Sequence, residues 1–164
     1  MTVHLPMENQ LKKNQGKIAI IVSQFNPKIT EVLYQGAYQV LAEHKDYVTE
    51  RIDVPGAFEL PIVAKRLLQQ DYLGAVALGA VIRGETPHFD YVCQATAHGI
   101  MQVNLDTNKP VTFGVITADN YQQAEARASR VDLESADKSL GLHTANKGVE
   151  AARALLDLLK YFYN

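Results

Sequence analysis

Four short apolar runs, each followed by a segment of helical periodicity, constrain this chain more than anything else in it. Lys17–Ser23 (KIAIIVS) and residues 47–54 (YVTERIDV) read as strands, as do residues 74–82 (GAVALGAVI) and 110–117 (PVTFGVIT). Between them, Leu33, Ala37, Val40 and Leu41 recur at helical spacing, as do Ile62, Val63, Leu67 and Leu68 after the second strand. Val92, Thr96, Gly99, Ile100 and Val103 form a stripe from about His88 to Leu105, and a further helix is expected over roughly 120–130. There Asp119 or Asn120 is placed to cap and Gln123 completes a capping-box-like pattern. Residues 131–145 show no strong periodicity. A last helix begins near Asn146-Lys147-Gly148, with Val149, Ala152, Leu155, Leu156, Leu159 and Phe162 along its apolar side.

Strands alternating with helices at these lengths imply a parallel sheet covered on both faces. Right-handed crossovers then give a three-layer α/β/α sandwich around a four-stranded parallel sheet. Residues 17–164 make one such domain, and the polar stretch 1–16 reads as an arm whose Val3 and Leu5 would pair with a neighbouring edge. A chain of 164 residues buries enough surface to need no disulfide or metal staple.

Sixteen Lys and Arg against 18 Asp and Glu leave a net charge of −2, which argues against a general binder of nucleic acid or anionic membrane. The single cysteine, Cys93, cannot form an internal disulfide and reads as a small buried residue. Cys-x-x-Cys metal clusters are absent, as is any apolar run of membrane-spanning length, and the first residues lack a signal-peptide core. A cytoplasmic protein without metal is the expectation.

Every unusual loop follows a strand: Gln24–Pro27, Pro55–Glu59, Arg83–Phe89 and Ala118–Asn120. All four must fall on the carboxyl edge of the sheet, where open parallel sheets bind ligands. Within 78–93 (LGAVIRGETPHFDYVC) a buried strand breaks at Arg83-Gly84-Glu85-Thr86-Pro87 and a helix follows from His88. His88 is the acid–base candidate, since imidazole titrates nearest neutrality, with Asp90 able to orient it; a surface histidine is the plainer alternative. His4, His44, His98 and His143 sit in the arm, on helices or in the irregular connection and read as bystanders. Glu85 and Thr86 offer backbone N–H groups and a hydroxyl at a helix start, suited to an anion and equally to ordinary capping by Thr86 with Pro87. Arg127, with Arg130 near it, is either solvated or closes such an anion site. Phe25 is either a loop anchor or a stacking platform, Phe113 a core residue on pattern alone, Glu59 a dipole partner or a binder of hydroxyls, and Lys147 a solvated lysine. No Gly-x-Gly-x-x-Gly, Walker loop or Gly-x-Ser-x-Gly occurs.

The blocks SQFN (23–26), VPGAFELP (54–61), ALGAVIRGETPHFDYVC (77–93), TFGVITADN (112–120), Ala126-Arg127-Ala128 and NKGVEAA (146–152) together resemble the 6,7-dimethyl-8-ribityllumazine synthases of riboflavin biosynthesis. The likeness covers about 17–130 and 146–160. It implies a flavodoxin-like fold and a transferase that joins 5-amino-6-(D-ribitylamino)uracil to 3,4-dihydroxy-2-butanone 4-phosphate, releasing phosphate and water without cofactor or metal. On this resemblance Phe25 stacks on the pyrimidine, Ala57, Phe58 and Glu59 hold the ribityl chain, and Val81 and Ile82 line the ring pocket. Glu85, Thr86 and Arg127 hold the phosphate and His88 moves protons. Phe113, Arg127 and Lys147 come from a neighbouring subunit, Phe113 and Lys147 to the pyrimidine and ribityl group.

Two departures stand out. Gln24 occupies a position where many members carry arginine. The connection from Arg127 to Asn146 is about a dozen residues longer than in compact members, and such connections resemble those of fungal pentamers; an icosahedral 60-mer is the other assembly. Alternatives in other classes are a non-catalytic flavin or lumazine binder on the same fold and an unrelated signalling or nucleotide-binding domain.

Overall fold

The computed structural model describes residues 15–129 and 146–163. The arm's Val3 and Leu5, His4, Arg130, His143 and the irregular stretch 131–145 lie outside them. Four strands are described: β1 (Gly16–Ser23), β2 (Tyr47–Val54), β3 (Tyr72–Ile82) and β4 (Val111–Ala118). The helices are α1 (Pro27–Ala42), α2 (Leu60–Leu68), α3 (His88–Thr107), α4 (Tyr121–Ala126) and α5 (Lys147–Tyr163), with a 3-10 turn at Ala57–Glu59 leading into α2.

The sheet is wholly parallel, in the order β2-β1-β3-β4. Strand β1 therefore sends the chain to β2 on one side, and the next crossover returns it past β1 to β3 on the other. The order reverses between β1 and β3, and their carboxyl ends open the crevice in which such sheets bind ligands.

Ile18, Ala19, Ile20, Ile21 and Val22 of β1 are fully buried, the signature of a strand covered on both faces. Ile18, Ile20 and Val22 point with Val76, Leu78 and Ile116 toward Leu33, Ala37 and Leu41 of α1 and Val149, Ala152, Leu155 and Leu159 of α5. Ala19, Ile21, Ala75, Ala77 and Val115 face the other way, toward Leu60, Ala64 and Leu68 of α2 and Ile100 and Val103 of α3. Each fully buried leucine contributes about 1.5–3 kcal/mol by leaving water. Leu155→Ala, which would open a hole between α5 and the sheet, is expected to cost about 2–5 kcal/mol.

The sequence reading needs local correction. Strand β3 starts at Tyr72, two residues early, and Tyr72 is buried there with its hydroxyl bonded to Glu50 of β2. Helix α2 buries Leu60, Ala64 and Leu68 and leaves Ile62 exposed, because the helix begins at Leu60, one turn after the 3-10 entry. Helix α4 ends at Ala126, short of 130, because Ala128 turns back to bridge Asn146. Phe162 lies on the last turn of α5 and is half-exposed. Phe113 is not a core residue: β4 is the edge strand, and the ring is 45% exposed.

Candidate active site

An open cavity of about 530 Å³ occupies the crevice between β1 and β3. Its walls come from three loops and one helix: Phe25 and Asn26 after β1, Gly56 to Glu59 after β2, Ala80 to Ile82 at the end of β3, and His88, Tyr91 and Val92 of α3. The residues expected at the sheet edge, Phe25, Ala57, Phe58, Glu59, Val81, Ile82 and His88, are thereby brought together. The lining is mostly apolar, and its ionisable members are Glu59, His88 and Tyr91.

Local geometry explains the arrangement. Asn26 takes a left-handed conformation, φ 55°, just before Pro27 starts α1. Its side-chain amide donates to the carbonyl of Ala80 at 2.9 Å, tying the β1 loop to the end of β3. Asn tolerates this region better than most side chains. Phe25 is left 69% exposed at the mouth, and Phe58 61%. Gly56 admits the Phe25 ring: a Cβ there would lie 3.4 Å from Cδ2 of Phe25 and 3.0 Å from a Glu59 carboxylate oxygen. The third wall is fixed by Thr96, whose buried hydroxyl lies 3.2 Å from the carbonyl of Ala57 and 2.7 Å from that of Val92. These two polar anchors escape a reading by motif, because each acts on a backbone carbonyl distant in sequence; Asn26 entered only as part of the SQFN block.

The turn from Arg83 to Pro87 is exposed, and Glu85 and Thr86 stand beside His88 at the rim rather than in the wall. The Thr86 hydroxyl accepts from the His88 N–H at 3.4 Å, too long for a strong cap, so ordinary capping explains little of this turn. Asp90 does not serve His88 as the sequence suggested. Its two oxygens each lie 3.2 Å from a guanidinium nitrogen of Arg83, which also donates to Asp119 at 2.9 Å and covers the Phe89 ring at 4.3 Å. Arg83 thus joins the ends of β3 and β4 to the first turn of α3, and the two carboxylates hold it cationic. Cys93 is half-buried one turn later. Burial, then the charge of Asp90, pushes its thiol above the usual range, which fits a packing residue.

Besides Glu85 and Thr86, three expected site residues are not in the wall of this cavity. Arg127 closes the C-terminal end of α4, where its guanidinium donates to the carbonyl of Gln123 at 2.9 Å. Lys147 opens α5 and pairs with Glu150 at 2.7 Å. Their neighbours Ala124, Ala128 and Val149 pack into the α1–α5 core, to which the cavity walls Ala80 and Ile82 also belong, whereas Ala57, Val81 and Val92 belong to the opposite layer. Phe113 is on the cavity's face but pairs with Ala77, four residues before Val81 along β3, and lies on the open flank of the edge strand. Among the described residues no group of three His, Cys, Asp or Glu side chains could hold a metal ion.

Residues 15–162 match the sequence profile of a family described as 6,7-dimethyl-8-ribityllumazine synthase. The chain belongs to that family. Proteins of that name from Limosilactobacillus reuteri and Leuconostoc mesenteroides are 42% and 43% identical to it, over 88% and 93% of this chain and 88% and 92% of theirs. One from Salinibacter ruber is 41% identical over 96% of this chain and 94% of its own.

Proposed function

We propose that this chain condenses 5-amino-6-(D-ribitylamino)uracil with 3,4-dihydroxy-2-butanone 4-phosphate to give 6,7-dimethyl-8-ribityllumazine, phosphate and water, at a site shared between subunits of a homopentamer. One observation carries the shared-site reading: the cavity offers aromatic and apolar walls and one imidazole, and among the described residues neither lysine nor arginine lines it. A phosphate ester needs a cation. Arg127, the cation that the resemblance assigns to the phosphate, does not line this cavity, and on this reading it serves a neighbour's.

On this reading Phe25 stacks on the pyrimidine, Val81 and Ile82 form the wall beneath the ring, and the Ala57–Glu59 turn holds the ribityl hydroxyls. Phe113 of the adjacent subunit closes the aromatic side. Backbone N–H groups at Glu85 and Thr86, at the start of α3, receive the phosphate together with Arg127 of the neighbour.

The aromatic amine attacks the ketone carbonyl and water leaves as the imine forms. A proton then leaves the adjacent carbon, and the phosphate departs with the electron pair of its C–O bond. Ring closure expels a further water. Each step moves a proton on or off the reactants, and His88 is the wall residue whose ring can both donate and accept one. The cation and N–H groups stabilise charge developing on the leaving phosphate. Holding two reactants side by side supplies much of the acceleration.

No described helix is long and apolar enough to cross a membrane; we place the reaction in the cytoplasm. The deciding experiment mixes the purified chain with both substrates and follows lumazine absorbance and fluorescence. Product formation above the uncatalysed rate is expected. Its absence would leave a binder of the same fold.

A further inference from the structure

Phe25 is carried by a short loop, Gln24 to Asn26, between the end of β1 and Pro27 of α1. Its ring is exposed, so packing does little to hold it at the cavity mouth. The residues on either side are bonded instead. Asn26 reaches the Ala80 carbonyl near the end of β3. Gln24 goes the opposite way, to β2: its N–H donates to the Val54 carbonyl at 2.9 Å, and its side-chain amide donates to a carboxylate oxygen of Asp53 at 2.8 Å. Strands β2 and β3 flank β1 on opposite sides, so the loop is drawn across the crevice with Phe25 between its two fastenings.

Asp53 is itself held. The same oxygen accepts from Nε of Arg51 at 2.9 Å, and a terminal nitrogen of that guanidinium donates to Glu31 of α1 at 2.9 Å. The guanidinium also covers the Tyr34 ring at 4.3 Å. Alternation along β2 explains the placement. Ile52 and Val54 turn into the α2–α3 layer, and Arg51 and Asp53 turn to the α1 side. Gln24 and Glu31 stand before and after Phe25 in the chain, so one carboxylate–guanidinium pair on β2 grips the chain on both sides of the ring. The side chains of Asp53 and Glu31 are 51% and 43% exposed, and ion pairs so placed add little to stability. What they fix is the geometry of a loop.

We infer that Gln24, through Asp53, is a positioning residue that sets the Phe25 ring for the pyrimidine substrate. The inference rests on the reading that Phe25 stacks on that substrate. Gln24 is not a wall residue and acts only through the loop. It stands where many members of the family carry arginine, and either side chain is able to donate to a carboxylate. The neutral amide does so without setting a second cation beside Arg51.

The test uses the full assembled chain with Gln24→Ala, Asp53→Ala, Gln24→Arg and, as reference, Phe25→Ala. Phe25→Ala is expected to raise the KM for the pyrimidine substrate at least about tenfold. Gln24→Ala and Asp53→Ala should each raise it about threefold to tenfold, as the loss of roughly one net hydrogen bond allows. The KM for the phosphate substrate should stay within about twofold, a selectivity that general loosening of the fold would not give. Gln24→Arg keeps a donor for Asp53 and should stay near the parent. Added to Phe25→Ala, Gln24→Ala should change nothing further, because its effect passes through the ring.

An unchanged pyrimidine KM in Gln24→Ala and Asp53→Ala, with a raised one in Phe25→Ala, overturns the anchor alone. So does a Gln24→Arg variant as impaired as Gln24→Ala, an equal rise in both KM values, or additive effects in the double variant. An unchanged pyrimidine KM in Phe25→Ala overturns the stacking reading beneath it. Where one of the two alanine variants at 24 and 53 fails to fold, the other decides by the same criterion.

Discussion

Arg83 and Asp90 meet as a fork, each terminal guanidinium nitrogen 3.2 Å from one carboxylate oxygen, across the turn that carries Glu85, Thr86 and His88. A third bond, from Arg83 Nε to Asp119, anchors the same side chain to the end of β4. The turn itself is exposed, and at Gly84 a Cβ would meet nothing within 4 Å, so its own packing does little to hold it. Its two ends are held by Arg83. Arg83→Ala is therefore expected to lower kcat about tenfold, through misplacement of His88 relative to the bound reactants. Arg83→Lys should restore little, since a point charge cannot fork onto Asp90 and reach Asp119 together. Steady-state kinetics, beside circular dichroism showing an intact fold, check this. Activity equal to the parent in Arg83→Ala would mean the turn holds its shape without the fork.

His88→Ala should reduce kcat by roughly a hundredfold, the lower end for loss of an acid–base group. It should not abolish turnover, because the cavity still brings amine and ketone together. The KM values should move little, since the imidazole is one wall group among twelve. An unaltered kcat would remove His88 from the proton transfers.

Cys93 should be a slow thiol. Burial and the nearby Asp90 carboxylate both disfavour the thiolate, so at neutral pH the group stays protonated. Labelling of the native protein with an aromatic disulfide at pH 7 is expected to run at least about tenfold slower than labelling of the denatured chain. The rate should rise with pH later than for an ordinary cysteine, because the folded value is raised. Equal native and denatured rates would show the thiol to be exposed and unperturbed.

Lys109 makes a stabilising contact remote from the cavity. Its ammonium donates to the carbonyls of Leu68 at 2.8 Å, Gln70 at 3.2 Å and Tyr72 at 2.8 Å, closing the end of α2 and the turn into β3. A cation there also complements the negative end of the helix. Lys109→Met keeps the aliphatic stem and removes the donors. Denaturant unfolding should report a loss of about 1–3 kcal/mol. Kinetic constants of the folded enzyme should be unchanged.

These contrasts show which links the sequence makes visible. The β-branched runs and helical stripes carry their period in adjacent residues, so the three layers and the carboxyl-edge cavity could be read directly. Phe25, Phe58 and His88 fell into place because every strand of a parallel sheet ends on one edge. Phe113 did not, because its exposure depends on β4 being the edge strand, which alternation cannot reveal. The partners of Asn26 and Asn146 were invisible for a related reason. Asn26 reaches a carbonyl 54 positions away and Asn146 one 114 away, and such pairings exist only once the crossovers are made. Asp90, two residues from His88 and so on another side of a regular helix, turns instead to Arg83, which offers it two bonds.

His88 lines the cavity and Arg127 does not, which makes the assembly itself testable. Sedimentation should give five chains per particle, and a particle of about sixty would refute the pentamer in favour of a closed shell. Subunit mixing tests the shared site more sharply. His88→Ala chains supply an intact Arg127, and Arg127→Ala chains supply an intact His88. In particles reassembled from equal amounts of both, about a quarter of the interfaces pair an intact cavity with an intact cation, as random placement around a ring requires. Activity measured at low phosphate substrate should then rise well above the mean of the two separate variants. If each chain built its whole site alone, mixing would yield that mean and no more.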